Sequence, residues 1–66
     1  MSVIQTTIKD YLEAIERTQG AEVRRHTTIE DRGAGNIFLK RANDDTGNVY
    51  DIGDIQSMTR HLRTHG

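Results

Sequence analysis

The sequence predicts a two-layer α+β domain in the order α-β-β-β-α, with a three-stranded antiparallel sheet and two helices packed on one face. Three observations predict it. Apolar residues recur at helical spacing near both ends of the chain. Between them lies one run of consecutive large apolar residues, Ile37-Phe38-Leu39, with glycine-containing turn segments before and after it. The chain has 66 residues, which leaves room for a single small domain, 1–66, able to bury only about 60% of its unfolded surface.

The first helix is read from Ile4, Ile8, Tyr11, Leu12 and Ile15, spaced three or four residues apart along one stripe. Ser2 with Gln5, and Thr7 with Asp10, both match the capping-box pattern. The later cap is preferred, with fraying before it. Glu13 and Arg17 pair one turn apart, and Gly20 closes the helix with a left-handed residue.

Residues 23–30 are expected to form an edge strand. Val23, Arg25, Thr27 and Ile29 share one face; Arg24, His26, Thr28 and Glu30 share the other. A turn through Gly33 and Gly35 leads to the central strand, within residues 36–42. Because its three apolar residues are consecutive, this strand projects apolar groups from both faces. Either Phe38 or the pair Ile37 and Leu39 therefore faces the helices. A turn over residues 44–48 returns the chain as a third strand over residues 49–52. Gly53 breaks that strand, and Asp54 caps a last helix carrying Ile55, Met58 and Leu62.

Composition narrows the functions to consider. The chain has no cysteine and a net charge of −1. No disulfide or thiolate metal cage is therefore available, and no bulk electrostatic partner is indicated. No apolar run approaches the roughly 18 residues of a membrane span, and no leader sequence is read at the start. The expected setting is cytoplasmic, without membrane contact. Charge is nonetheless uneven: residues 23–41 sum to +3 and residues 42–54 to −4.

Ser57-Met58-Thr59-Arg60-His61-Leu62-Arg63-Thr64-His65-Gly66 resembles the helical half of a two-cysteine, two-histidine zinc finger. His61 and His65 have that family's histidine spacing, and Met58 stands at its apolar helix position. The likeness covers one helix only. The preceding hairpin supplies Asn43, Asp44, Asp45 and Asn48 where the family supplies two thiolates. No metal or other cofactor is expected, and the family's DNA contacts are not carried over.

Catalytic machinery is not expected either. Ser2 and Ser57 lack the setting of a nucleophile elbow, and Gly33-Ala34-Gly35 lacks the rest of a phosphate-binding loop. The expected function is binding: a small protein that occupies the surface of a macromolecular partner, in first place a protein. The anchors expected are Phe38 and Tyr50, rimmed by Arg24, Lys40 and Arg41. A second copy of the chain is another way to cover such a surface. Size and composition match phage- or mobile-element-type inhibitors of a host factor or defence complex. The alternative is a small nucleic-acid-binding regulator using the basic strands. Opposite strand parity for Lys40 and Arg41 counts against it.

Overall fold

The computed structural model describes residues 2–65. Its elements are α1 (Val3–Gln19), α2 (Ala21–Arg25), β1 (Thr28–Gly33), β2 (Asn36–Lys40), β3 (Asn48–Asp51) and α3 (Ile52–His65). The strands form one antiparallel sheet in the order β1-β2-β3. The predicted α+β architecture is present, with a short additional helix between α1 and the sheet.

Parity within β2 decides which side of the sheet is the core. Ile37 and Leu39 are 0% and 1% exposed and pack with Tyr11 and Ile15 of α1 and Ile55 of α3. Ile29 of β1 stands opposite Leu39, and Tyr50 of β3 opposite Ile37. Both extend the same cluster as half-buried neighbours. Phe38 consequently points to the face that no helix covers.

Three local expectations are corrected. The first concerns the cap of α1. Ser2 is the N-cap, its hydroxyl accepting from the Gln5 N–H at 3.2 Å. Thr7 is buried inside the helix and donates to the Val3 carbonyl at 2.7 Å. The earlier start wins because the extra turn brings Ile4 onto the core.

The second concerns residues 23–27, which are not a strand. Gly20 closes α1 at φ 98°, a conformation open to glycine, and the chain starts α2 at once. Glu22 and Arg25 pair across the turn at 2.7 Å, and Arg24 reaches back to Glu16 of α1. These local pairs favour a helical turn over the alternating pattern, and the turn places Val23 against the core. The first strand therefore begins at Thr28 and runs to Gly33. A bulge between Asp31 and Gly33, then a tight turn with positive φ at Ala34 and Gly35, joins it to β2.

The third concerns the start of α3. Asp51, not Asp54, caps it: the Asp51 carboxylate accepts from the Asp54 N–H at 2.7 Å. Ile52 and Gly53 thus lie in the helix, and β3 ends at Asp51. One residue ends the strand and caps the helix, so no connecting loop is needed.

The uncovered face handles Phe38 with the chain's own parts. The Arg32 guanidinium lies over its ring, 4.7 Å from the centroid, and is paired to Glu30 at 3.1 Å. Gly47, in the β2–β3 connection, sits directly against the ring; a Cβ there would overlap it. Val49, cross-strand from Phe38, stays 59% exposed.

Two stability outcomes follow from these contacts. Gly47→Ala should destabilise the fold by about 1–3 kcal/mol through overpacking, and much of the loss should vanish in a Phe38→Leu background. A double-mutant cycle by urea denaturation reads that coupling. Asp51→Ala should cost about 0.5–2 kcal/mol as a lost helix cap. Asp54→Ala should cost less, about 0.3–1 kcal/mol, because it removes only a charge near the positive helix end. Equal losses in thermal melts of the two variants would contradict this assignment of the cap.

Candidate functional site

A half-open groove of about 670 Å³ lies between α1, α2, α3 and the start of the β2–β3 connection.

Its apolar lining comes from Tyr11, Ile15, Val23, Met58 and Leu62. Tyr11 and Ile15 are buried at its floor; Val23, Met58 and Leu62 are half-buried. Gln19, Thr27, Asn43, Ser57 and His61 contribute polar groups at the margin. Volume and lining fall within the range of ligand and peptide sites, about 300–1,000 Å³ with mostly apolar walls.

Arg41 is the charged residue that reaches across this groove. It follows Lys40, which ends β2 on the uncovered face, so alternation turns Arg41 to the helix side. A tight turn fixes its backbone: the Asp44 N–H donates to the Arg41 carbonyl at 3.0 Å, and the Asp44 carboxylate accepts from the Arg41 N–H at 3.3 Å. The guanidinium lies 3.7 Å from the Met58 sulfur. Its pKa is raised, first by a side-chain hydrogen bond to Tyr11, against an opposing effect of partial burial. Among the described residues no carboxylate stands within ion-pairing distance of this guanidinium. Tyr11 thus supplies apolar floor through its ring and an acceptor through its hydroxyl.

The five residues expected to bind a partner do not gather on one surface. Phe38 and Lys40 point to the uncovered face, and the Phe38 ring is already occupied by Arg32 and Gly47. Tyr50 and Arg41 are on the helix side, Tyr50 opposite Ile37 and Arg41 lining the groove. Arg24 is on α2, ion-paired with Glu16. Arg25 pairs with Glu22 and Arg32 with Glu30, so the cations of residues 23–41 are dispersed and partly neutralised. No continuous basic surface is built from them.

Met58, Leu62, Tyr11 and Ile15 were legible only as core positions. The His61 and His65 spacing falls partly outside the described residues, because the His65 side chain is not among them. Among the described residues no group of three His, Asp or Glu side chains converges to hold a metal, and no helix is long and apolar enough to cross a membrane. Comparison of the chain with protein-family models, with curated proteins and with solved structures finds no match in any of the three.

Removing the phenol oxygen tests the seat of Arg41. Tyr11→Phe should keep the fold and lower stability by about 0.5–1.5 kcal/mol, the range for one hydrogen bond. The same substitution in an Arg41→Ala background should cost clearly less, as read by urea denaturation of all four proteins.

Proposed function

We propose that this protein acts by binding, and that it occupies the surface of a protein partner through the groove between α1 and α3. The observation that carries the reading is the combination of an accessible apolar groove with Arg41 among its lining residues, the guanidinium lying 3.7 Å from the Met58 sulfur. Apolar surface bordered by polar groups is typical of interaction sites, and arginine and aromatic residues are over-represented among the side chains that dominate binding energy.

The uncovered sheet face supports this role less well. Its one large aromatic is packed within the chain, leaving Val49 as the exposed apolar residue there. Arg41 therefore stays in the proposed site, Met58 and Leu62 join it, and Phe38 serves the fold. A nucleic-acid regulator gains little support from cations divided among α2, the uncovered face and the groove. A protein that works by occupying a surface inhibits whatever else needs that surface. Inhibition of a host factor or defence complex, in the manner of phage- or mobile-element proteins, is the form this reading takes.

Capture from host lysate with a mild crosslinker, followed by mass spectrometry, compares the native chain with Met58→Lys and with Val49→Lys. Met58→Lys should lose at least about tenfold of the captured partner, a cost of about 1.4 kcal/mol, with an unchanged circular dichroism spectrum. Val49→Lys should retain it. Equal capture by all three proteins, or loss only in Val49→Lys, overturns the groove as the site. Capture that is nucleic-acid-dependent and disappears steeply with salt supports the regulator instead.

A further inference from the structure

The groove carries information about its occupant beyond being apolar. Ten of the chain's residues are aspartate or glutamate, yet none of them lines this groove. Its charged and titratable lining groups are Arg41 and His61. The nearest acid in sequence, Asp44, accepts from the Arg41 backbone N–H, not from the side chain. The second cleft of the molecule, at the start of α1, differs: it measures about 450 Å³ and contains Asp10 beside Arg60 and Arg63. Acid and base are mixed in that cleft. They are separated in the first.

A guanidinium has five N–H donors arranged as a planar fork. Contacts with Tyr11 and Met58 orient the Arg41 group and leave most of these donors for an incoming acceptor. A carboxylate satisfies that fork in two parallel hydrogen bonds, and the partly desolvated setting strengthens them. An ammonium or guanidinium from a partner would meet Arg41 with Asp44 as the nearby acid, its carboxylate engaged by the Arg41 backbone N–H. The groove is also half open, so a ligand seated in it remains continuous with atoms in water. That suits a segment of polypeptide more than an enclosed small molecule.

We infer that the groove receives an acidic amphipathic segment of a partner protein, seating an apolar side chain on Ile15, Met58 and Leu62 and a neighbouring carboxylate on Arg41. This rests on the groove being the binding site proposed above, and adds the chemistry of what it accepts. Tyr11 sets the position of the charge, and the thioether of Met58 adapts to the shape of the apolar group.

The test uses the purified protein, labelled with ¹⁵N and ¹³C-methyl groups, and synthetic probes, so it does not depend on finding the natural partner. The probes are a helix-forming peptide with leucine on each turn flanked by glutamate, its glutamine and lysine counterparts, and decanoate. The glutamate peptide should shift the methyl signals of Met58 and Leu62 and bind at least about tenfold more tightly than the glutamine peptide. In Arg41→Gln, which keeps most of the side chain, the preference should disappear while apolar contact persists. A glutamate preference that survives in Arg41→Gln overturns the assignment. So do equal binding of the glutamate and lysine peptides, shifts confined to Phe38 and Val49, and no peptide binding at all. Binding of decanoate without the peptides would assign the groove to small amphiphiles and overturn the inference too. Loss of lysate capture in Met58→Lys together with no glutamate preference would leave the groove as the site and remove only its acidic selectivity.

Discussion

Everything in this small domain depends on how one five-residue strand divides its side chains. β2 carries three large apolar residues in a row, and pleating sends Ile37 and Leu39 one way and Phe38 the other. Two residues anchor better than one. Ile37 and Leu39 draw α1 and α3 onto their side, and Ile29 and Tyr50 follow from the neighbouring strands. A one-residue slip in register would put Phe38 into the core and the aliphatic pair into water. The partner strands oppose that slip because their own apolar residues sit opposite β2's inward pair.

The price of that arrangement is an aromatic on the open face, and the chain deals with it locally. Arg32, the extra residue at the β1 bulge, lies over the ring while held by Glu30, and Gly47 closes against it from the following connection. A glycine is required there by contact distance, since any side chain would meet the ring. The open face is consequently charged at its edges and largely quiet at its centre. Val49, 59% exposed, and the half-buried Phe38 keep it partly apolar. On the helix side the balance is different. Met58 and Leu62 pack against the core yet stay half-buried, lining the groove. Arg41 and the turn closed by Asp44 border the groove without filling it.

These two sides explain why charge and apolar surface have separate meanings here. Arg24, Arg25 and Arg32 are bound to acids of the same chain, and exposed pairs of that kind contribute little energy while setting local geometry. Arg41 makes no ion pair of that kind; its guanidinium lies 3.7 Å from the Met58 sulfur, with Asp44 near enough to raise its pKa.

Much of this architecture was legible in the sequence because local periodicity states it directly. The stripe of Ile4, Ile8, Tyr11 and Ile15, the stop at Gly20, the apolar triplet at 37–39 and the last helix at Ile55, Met58 and Leu62 all appear where the pattern puts them. Errors arose where two local signals competed. Residues 23–27 alternate like a strand, but in the helical turn they form, Arg25 pairs with Glu22, Arg24 with Glu16 of α1, and Val23 packs against the core. Asp54 reads as the cap of the last helix, but the Asp51 carboxylate takes that role by accepting from the Asp54 N–H. Parity also showed Lys40 and Arg41 to be on opposite sides before any contact was known. Sequence periodicity could not show which side of β2 the helices would choose, because that depends on the summed burial of residues far apart in the chain. Nor could it show the groove. That feature is lined from α1, α2, α3 and the β2–β3 connection at once, and residues so far apart in the chain become one surface only when the elements are stacked.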